Sequence, residues 1–443
     1  MTYDVVVIGG GLAGLVAANV AARRGKGVLL IAEGLASLHM ATGCIDLLGY
    51  AEPGDAMPVI RPWEALEELS AQAPCHPYAK VGRPLVAESL EWFAGLCREG
   101  GCPLAGSTGG ENLLLPTGLG TVRPTYLAPE TMISGNLADL SGNTGDSGDL
   151  LIVGFEGFRD FYPAYVAENL NLAGERYGAH PGWISNWPHA AGVQIGVPDS
   201  TNMRDLSAVD LAVRFEREEF RRKVAEKIKE VLARLTCGAE VARVGFPAVL
   251  GLEKAVEARH DLEEKLGLRV FEIPILPPSV PGLRLAGVLE KAARAAGVEV
   301  LLGSPVVGAE VENGRCRSVT VRTPVRENRY QAEAFVLATG GVLGGGIRVD
   351  LDGPREPIFG LPVGHPPARE DWSRPQLMAP EGHAFLRFGV EVDGGLRPLG
   401  RDGAVAIENL LAAGSLLAGH GSCNEQSAEG IAIATGYAAG RWC

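Results

Sequence analysis

Several features that would assign this chain to a familiar class of protein are missing from its 443 residues. No apolar run approaches the ~20 residues that a membrane-spanning helix needs. The formal net charge is −13, whereas nucleic-acid binding needs clusters of Lys and Arg. The first predicted strand begins at about Tyr3, which leaves no room for a signal peptide. We therefore expect a cytoplasmic enzyme that meets a membrane only at its surface or through a partner.

The eight cysteines lack the spacing of a metal site. None forms C-x-x-C, and no group of them has iron–sulfur or zinc spacing. Cys97 and Cys102 are the pair closest in sequence. Scattered thiols in a cytosolic protein usually behave as small buried hydrophobic side chains. We expect no metal site in this chain.

A dinucleotide-binding pattern opens the sequence, in the stretch MTYDVVVIGGGLAGLVAANVAARRGKGVLLIAEG. The apolar run Val5–Ile8 predicts a buried parallel strand. A helix is expected from about Leu12 to Arg24, followed by a second strand over Lys26–Ala32. Glu33 comes about 20 residues after the glycines, where an acid hydrogen-bonds a ribose hydroxyl. This spacing predicts a bound dinucleotide but does not separate NAD from FAD.

Three glycines between the first strand and the helix fit G-x-G-x-x-G. Gly9 permits a tight turn, Gly11 lets the backbone approach a pyrophosphate, and Gly14 lets the helix pack close to the strand. The N–H groups and dipole at the start of the helix favour phosphate binding. The cofactor contacts predicted here are Gly9, Gly11, Leu12, Ala13, Gly14, Glu33 and Gly34.

The dinucleotide domain is predicted to be discontinuous, because strands that suit it recur late in the chain. Its pieces cover residues 1–50, 281–341 and 389–443. Residues 51–280 and 342–388 are predicted to form an inserted α+β cap or substrate domain. In the second piece we expect the helix Leu283–Ala296 and the strands Val298–Leu302, Val306–Glu312, Arg317–Arg322 and Ala332–Leu337.

Four features are predicted inside the larger insert. Met132–Asp149 is rich in Gly, Asn, Ser and Asp, which is typical of an exposed loop. Leu150–Gly154 predicts a strand, and a helix follows from about Asp160 to Leu172. Leu206–Leu235 predicts one long amphipathic helix. Its Arg214–Arg222 stretch mixes charges of both signs, which favours a solvated face over a partner surface.

Three distant segments favour a flavin over a nicotinamide, and the first lies near the C-terminus. A strand predicted over Asn409–Ala413 leads into Gly414, and a helix follows from about Ser427 to Ala439. Small residues on this helix would let a flat ring lie against its N-terminus, which favours the negative charge of a reduced flavin. A helix whose small residues serve only packing is the alternative. The contacts predicted here are Gly414, Ser415, Glu429 and Gly430.

The other two segments lie earlier in the chain. FVLATGG, at Phe335–Gly341, is a strand end of the kind that returns the chain to the cofactor in two-dinucleotide folds. ASLHMATGCIDLL follows shortly after Glu33 and is expected to run along the flavin ring. The contacts predicted in these segments are Ala338, Thr339, Gly340, Thr42 and Gly43.

Together the three segments resemble the flavoprotein family that includes succinate dehydrogenase and fumarate reductase. The resemblance implies an α/β fold with a Rossmann-like two-dinucleotide flavin domain of the glutathione reductase and fumarate reductase type. In those enzymes a histidine of the third segment can carry the flavin covalently. Matching the segment that begins at Ala41 puts Ser37 at that position, and His39 lies two residues too close. We therefore expect a non-covalent flavin.

Longer segments resemble the family of B subunits of anaerobic glycerol-3-phosphate dehydrogenase: LHMATGCIDLLGY, FEGFRDFYPAYVAENL, LPPSVPGLRL, REPIFGLPV and RPLGRDGAVAIENLLAAGSLLAGHGSCNEQSAEGIAIATG. The resemblance implies two partners, which are a flavoprotein A subunit together with an iron–sulfur, membrane-associated C subunit. Such a complex oxidises sn-glycerol 3-phosphate to dihydroxyacetone phosphate and passes electrons to the quinone pool. The resemblance makes the A subunit the expected place of substrate oxidation. Cys44 departs from the family, since a small hydroxyl residue is expected there.

The family resemblance and the residues differ on the cofactor. The resemblance implies FMN in this chain, alongside FAD in the A subunit. However, G-x-G-x-x-G serves a pyrophosphate and Glu33 serves an adenosine ribose, and FMN has neither group. We predict FAD and keep FMN as the alternative.

Oxidation of a phosphorylated secondary alcohol needs a base near the hydroxyl and Arg or Lys contacts to the phosphate. Because the chain has no iron–sulfur motif, electrons must leave through another subunit. A stand-alone flavin oxidoreductase for another small acid or alcohol is an alternative, and so is a non-catalytic flavin relay or assembly subunit. Candidate catalytic residues are His39, Arg355, His365 and His420, with Arg123, Glu356 and His383 as further candidates.

Overall fold

The computed structural model describes residues 2–52, 54, 57–140, 148–177, 187–198, 205–234, 241–377 and 379–443. It divides into two compact units. The first comprises Met1–Leu38, Ile45–Gly100 and Gly287–Cys443, and the second comprises His39–Cys44 and Gly101–Ala286. The predicted division differs from this one, because residues 51–100 and 342–388 group with the first unit instead of with the insert.

Strands and helices alternate along most of the chain. The strands are β1 (Thr2–Ile8), β2 (Val28–Ala32), β3 (Leu104–Ala105), β4 (Leu113–Pro116), β5 (Val122–Thr125), β6 (Ala128–Pro129), β7 (Asp149–Phe155), β8 (Ala190–Ile195), β9 (Val241–Pro247), β10 (Arg269–Ile273), β11 (Glu299–Leu302), β12 (Val306–Glu312), β13 (Arg315–Arg322), β14 (Glu327–Leu337), β15 (Arg348–Asp350), β16 (Gly353–Arg355) and β17 (Leu410–Ala412). The helices are α1 (Leu12–Arg23), α2 (Pro62–Gln72), α3 (Pro77–Val81), α4 (Arg83–Glu99), α5 (Pro163–Tyr177), α6 (Ala208–Phe215), α7 (Glu218–Arg234), α8 (Ala255–Leu266), α9 (Val280–Ala295), α10 (Ser422–Glu425) and α11 (Ala428–Trp442). In the described ranges, no helix has both the length and the apolar character that crossing a membrane requires.

A seven-stranded sheet organises the first unit, with the order β11-β2-β1-β14-β13-β12 and with β17 beside β14. Strands β11, β2, β1, β14 and β17 are parallel, whereas β12, β13 and the first half of β14 pair antiparallel. The carboxyl ends of the five parallel strands therefore meet at one edge of the sheet. Open α/β sheets bind their ligands at this edge.

The strands and helix predicted at the N-terminus are confirmed to within two residues at most ends. Val5–Ile8 and all of β2 are buried, as expected of central parallel strands. Helix α1 packs on β1 and β2 on one side and on α11 on another, so its small side chains from Ala13 to Ala22 are buried. A helix covered on several sides needs apolar residues around most of its circumference.

The elements predicted later in the first unit are also confirmed, and the largest difference in length is at β14. Strand β14 begins at Glu327, five residues before the predicted start at Ala332. Its first half alternates between exposed and half-buried residues because it pairs with β13 in a hairpin, with Gln331 opposite Ser318. Only Phe335–Leu337 are fully buried, between β1 and β17, and these three residues are the most apolar part of the strand.

The second unit contains a four-stranded parallel sheet with the order β10-β9-β7-β8. Helix α5 connects β7 to β8 and α8 connects β9 to β10, because parallel neighbours need crossover connections. Two short antiparallel pairs, β3–β6 and β4–β5, accompany the sheet. The sequence predicts an α+β insert, whereas the main sheet of this unit is parallel and has an α/β arrangement.

The single helix predicted over Leu206–Leu235 is wrong. The structure has two helices, α6 and α7, which are separated at Glu216, and the last predicted residue lies outside the described residues. Arg221 is buried, and its guanidinium donates to the carbonyls of Phe215 and Glu216 at 2.9 and 3.1 Å. These bonds satisfy the C-terminus of α6. The charged stretch is therefore not uniformly solvated: Arg222 is exposed but Arg221 is not.

The exposed loop predicted over Met132–Asp149 is wrong in its first part. Met132 is fully buried, and the chain forms two short 3-10 helices between residues 130 and 140. The buried Asn136 accepts the backbone N–H of Leu114 at 2.8 Å. Its amide replaces water as the hydrogen-bond partner, which lets a polar stretch pack inside the unit. Residues 141–147 of the predicted loop lie outside the described residues.

Candidate functional site

Glycine-rich loops follow three neighbouring parallel strands of the first unit. Residues 9–11 follow β1, residues 338–341 follow β14, and residues 413–415 follow β17. The amide that starts the second loop donates to the last carbonyl of β1 at 2.8 Å, and the amide that starts the third donates to the last carbonyl of β14 at 3.0 Å. We call these three loops and the start of α1 the glycine cradle.

Two glycines of the cradle are required by the backbone itself. Gly9 has φ +113°, and a Cβ there would lie 2.2 Å from the carbonyl oxygen of Ala338. A Cβ on Gly14 would lie 1.9 Å from the carbonyl oxygen of Gly9. Any side chain at either position would push apart the strand ends or the helix.

Gly11 is different, because the space in front of it is open. A Cβ at Gly11 would meet nothing within 4 Å, and the residue has an ordinary φ of −76°. Gly11 is the N-cap of α1, and no side chain caps this helix. The amides of Leu12 and Ala13 have no acceptor among the described residues. Open space in front of free N–H groups is what a phosphate group needs.

The second and third loops contact each other closely. A Cβ on Gly341 would lie 2.7 Å from the carbonyl oxygen of Ser415. The amide of Gly414 donates to the hydroxyl of Thr435 on α11 at 2.9 Å. The hydroxyl of Thr339 is buried and has no hydrogen-bond partner in the described part of the chain. Buried polar atoms are nearly always paired, so this hydroxyl fits a polar ligand at the same edge.

The small residues of α11 serve packing, which was the alternative that the sequence left open. A Cβ on Gly436 would lie 2.4 Å from the carbonyl oxygen of Ala13. Gly430 donates its amide to the carbonyl of Asp46 at 3.0 Å, and a Cβ there would lie 2.2 Å from the hydroxyl of Tyr78. The amide of Gly430, predicted as a cofactor contact, is therefore already occupied. Glu429 lies in the first turn of α11 and is half-buried.

A buried hydrogen-bonded pair that the sequence analysis missed lies before α11. The Nδ1 atom of His76 accepts the backbone N–H of Tyr78 at 3.1 Å, so its Nε2 carries the proton. That Nε2 lies 3.3 Å from the carboxylate of Glu425, which also accepts the hydroxyl of Ser427 at 2.9 Å. Burial raises the pKa of Glu425, but the contacts with His76 outweigh it and hold the pKa below its usual range.

The predicted candidate His420 lies beside this pair. Its ring centroid is 6.5 Å from that of His76, and its Nε2 has no hydrogen-bond partner within the described residues. Burial, with a smaller contribution from the neighbouring His76, lowers the pKa of His420 to about 4, although Glu425 opposes the shift. His420 is therefore neutral near pH 7 and does not supply positive charge to an anionic substrate. No local sequence pattern could have shown that His76, His420 and Glu425 are neighbours, because His76 is more than 300 positions away from His420 and Glu425 in the sequence.

Other candidates from the first unit have local structural partners. Arg355 is exposed and pairs with Asp350 at 2.9 Å across the β15–β16 hairpin. Both ring nitrogens of His383 bond to backbone atoms, at 3.1 and 2.8 Å. The carboxylate of Glu356 accepts two backbone N–H groups at 2.8 and 2.7 Å, and burial raises its pKa. His365 is exposed and lines a cavity with which no residue of the glycine cradle is in contact.

His39, Thr42 and Gly43 belong to the second unit, as does Arg123 on β5. The carbonyl of His39 accepts the backbone N–H of Ser279 at 3.1 Å, and its Nδ1 is buried without a partner in the described part of the chain. Thr42 accepts the backbone N–H two residues further on at 3.3 Å. Gly43 has φ +81°, which favours glycine. Contacts of these residues with a flavin ring stay a prediction.

A parallel sheet with a strand–glycine–helix unit at its open edge defines the class of dinucleotide-binding proteins. The family model described as "FAD binding domain" matches residues 4–431, which is nearly the whole chain. The chain is therefore an FAD-binding flavoprotein, with the predicted α/β fold.

Curated relatives narrow this class. A protein of Halobacterium salinarum, named as the probable B subunit of anaerobic glycerol-3-phosphate dehydrogenase, is 36% identical over 437 residues, covering 99% of this chain and 96% of the relative. A protein of Vibrio cholerae, named as the B subunit of the same enzyme, is 32% identical over 441 residues, covering 99% and 95%. Among solved structures, a flavocytochrome c3 fumarate reductase is 12% identical, and the match covers 100% of this chain and 78% of that protein with a TM-score of 0.43. The chain belongs to the family of anaerobic glycerol-3-phosphate dehydrogenase B subunits, a family of flavin-linked dehydrogenase subunits.

The residues of the glycine cradle fit FAD. Gly11 and the first turn of α1 would hold the pyrophosphate, because their N–H groups are free and the space before them is open. Glu33 follows β2, the neighbour of β1, and is exposed, so its carboxylate would bind the adenosine ribose. FAD supplies a group that accepts a hydride or an electron pair from a substrate. FMN lacks both the pyrophosphate and the adenosine, so it would leave Glu33 unused.

Proposed function

We propose that this chain is the flavoprotein B subunit of a quinone-linked anaerobic sn-glycerol-3-phosphate dehydrogenase. The complex removes two electrons and two protons from glycerol 3-phosphate and releases dihydroxyacetone phosphate. The electrons leave through an iron–sulfur subunit to the quinone pool. The observation that carries the proposal is the full-length similarity to relatives named as this subunit.

The partners in this proposal are a flavoprotein A subunit, together with an iron–sulfur C subunit that associates with the membrane. The word "subunit" in the names of the relatives supports a complex. The C subunit would hold this chain at the inner face of the cell membrane. Substrate oxidation takes place in the A subunit, while FAD in this chain belongs to the electron path.

We also propose that the FAD is bound without a covalent link. Ser37 stands at the position where a histidine carries the flavin in the succinate dehydrogenase family. Acid precipitation of the purified protein should leave the flavin in the supernatant. Flavin fluorescence that stays with the denatured protein would show that His39, two residues further on, forms the link.

The test of the proposed function is reconstitution of this chain with the A and C subunits, followed by anaerobic addition of glycerol 3-phosphate. We expect released FAD to be identified from this chain, and we expect bleaching of the flavin of this chain and quinone reduction only in the full complex. A complex built with the Gly11→Val variant is the matched control, because it should assemble but lose the flavin of this chain. Quinone reduction at the wild-type rate by that variant would overturn the role in the electron path. Turnover by the isolated chain would favour a stand-alone oxidoreductase instead.

A further inference from the structure

A cavity of about 520 Å³ lies in the first unit, and no residue that lines it belongs to the glycine cradle. Its size is within the range of pockets that bind small molecules, about 300–1,000 Å³. Its walls come from three separate stretches, residues 364–366, 384–392 and 418–419, together with Cys75, Lys80 and Leu399. A Cβ on Gly419 would lie 2.5 Å from the carbonyl oxygen of Cys75, so these two walls are in direct backbone contact.

Two permanent cations line the cavity without a carboxylate partner. Lys80 and Arg387 form no ion pair with any described residue. Arg397 of the same unit, by contrast, pairs with Asp393 at 2.6 Å. Arg387 lies beside Gly421, where a Cβ would come within 3.0 Å of its Nε. Unpaired Lys and Arg side chains in one cavity favour an anion, and a phosphate most of all.

A histidine on the same wall has a fixed tautomer. The Nδ1 of His365 lies 2.8 Å from the carbonyl of Pro366, which can only accept, so Nδ1 carries a proton. The ring also packs edge-on against Trp372 at 5.5 Å and lies 5.8 Å from Phe388. These contacts hold the ring in place and leave its Nε2 without a partner in the described part of the chain.

The remaining walls combine one carboxylate with apolar side chains. Glu391 lines the cavity, is exposed, and makes no side-chain hydrogen bond or ion pair with a described residue. Phe388 and Val392 are buried beside it. A carboxylate in the cavity does not suit a bare anion, but it can accept hydrogen bonds from hydroxyl groups. The cavity therefore suits a small molecule that carries both a phosphate and hydroxyl groups.

We propose that this cavity binds a short polyol monophosphate, with Arg387 and Lys80 on the phosphate and Glu391 on the hydroxyl groups. His365 would bind the ligand through its free Nε2. The proposal rests on the proposed function, which supplies glycerol 3-phosphate as the polyol monophosphate. It adds a binding site for that class of ligand on this chain, formed by residues outside the glycine cradle.

The proposal is tested by calorimetric titration of the full-length, FAD-loaded chain with sn-glycerol 3-phosphate, inorganic phosphate and glycerol. We expect saturable binding of glycerol 3-phosphate, weaker binding of inorganic phosphate and no binding of glycerol. Arg387→Gln and Lys80→Gln should each weaken both phosphate ligands at least about tenfold, since each removes a charged hydrogen bond. Glu391→Gln should weaken glycerol 3-phosphate and leave or improve the binding of inorganic phosphate.

Arg401→Gln is the matched control, because Arg401 is an exposed arginine of the same unit that does not line the cavity. Its affinity for glycerol 3-phosphate should equal that of the wild type, and unchanged flavin absorbance shows that each variant is folded. Absence of glycerol 3-phosphate binding by the wild type would overturn the proposal, and so would equal losses in Arg401→Gln and Arg387→Gln. Binding is measured without turnover. A complex that fails to oxidise glycerol 3-phosphate would therefore contradict the proposed function without affecting the measured affinity of this chain for glycerol 3-phosphate.

Discussion

Glycines of the cradle have two separate physical roles at the residue scale. Gly9 and Gly14 are needed by the protein, because a Cβ at either would overlap a carbonyl oxygen of the chain. Gly11 is not needed by the protein, because a side chain there would enter open space. The sequence motif treats the three alike, whereas the structure separates the glycines that build the turn from the one that leaves room for a ligand.

Gly11→Val and Gly9→Ala should therefore give different defects. Gly11→Val should fold with a loss of about 1 kcal/mol, because Val is a poor N-cap, and should contain almost no FAD. Gly9→Ala should lose about 3 kcal/mol or more, because φ +113° is available almost only to glycine and its Cβ would overlap Ala338. Urea unfolding and flavin absorbance of the two purified variants provide the measurement. Full flavin content in Gly11→Val would contradict the assignment of the pyrophosphate.

Glu33 provides a second prediction at this scale. Removal of its carboxylate should weaken FAD binding by roughly 1–3 kcal/mol, because a ribose hydroxyl is left without its partner. The side chain is exposed, so the stability of the protein should hardly change. Fluorescence titration of apoprotein with FAD and with FMN compares wild type and Glu33→Ala, and FMN is the control because it has no adenosine ribose. An equal loss for both flavins would show that Glu33 acts elsewhere.

At the scale of elements, the contact between α1 and α11 supports the cradle from behind. Gly436 and Gly440 of α11 approach α1 so closely that a Cβ on either would lie 2.4 Å from a carbonyl oxygen of Ala13 or Ala17. Helices can approach this closely only where side chains are absent from the contact. The position of the first turn of α1, and with it the candidate phosphate site, thus depends on residues near the C-terminus.

Gly436→Ala tests this contact against Gly95→Ala in α4. Gly436→Ala should destabilise the protein by about 1–3 kcal/mol, because the added methyl forces α1 and α11 apart. Gly95→Ala should stabilise it by about 0.5–1 kcal/mol, because nothing lies within 4 Å of a Cβ there and alanine is the better helix former. The free energy of unfolding in urea measures both. Changes in the free energy of unfolding of the same sign and size in the two variants would mean that α1 and α11 can accommodate the added methyl group.

At the scale of the whole molecule, the buried His420 and Glu425 couple stability to pH. The pKa of His420 is about 4 in the folded chain and 6.5 for an unperturbed histidine, and burial is the main cause of the difference. Between about pH 6.5 and pH 4, His420 therefore binds a proton in the unfolded chain but stays neutral in the folded chain. The pKa of Glu425 is lowered in the folded state, so its contribution is present above the usual carboxyl range and is lost as the pH falls through the folded value.

We predict that stability falls as the pH is lowered from about 6.5 to about 4, with His420 contributing roughly 3 kcal/mol to the loss. His420→Gln removes the titrating group at similar volume, so the free energy of unfolding should depend less on pH in this window. The loss attributable to Glu425 follows at lower pH in both proteins. Urea unfolding at about pH 7.5, 6 and 5 provides the comparison, and parallel pH profiles for the two proteins would rule out His420 as the source.

The two units differ in how well the sequence predicted them. In the first unit, the bounds of β1, α1 and β2 were predicted within a few residues. The signals were an uninterrupted apolar run, the spaced glycines and a helix of small residues. In the second unit, Leu206–Leu235 has continuous helical periodicity, but Arg221 ends α6 by bonding to its last carbonyls. The periodicity of apolar residues indicates which face of a helix is buried. It does not indicate where the helix ends when a buried side chain such as Arg221 binds its last carbonyl groups.

The sequence by itself determined the class of this protein. The G-x-G-x-x-G loop, Glu33 and the C-terminal segment are local patterns, and local patterns can be recognised without knowledge of the fold. Only the tertiary structure decided which candidates belong together. It grouped His420 with His76 and Glu425, paired Arg355 with its own hairpin, and placed His365 in a cavity with Lys80 and Arg387. The physical reason is that a cavity or a buried pair forms where loops from distant strands meet, and sheet order, not sequence spacing, sets those meetings.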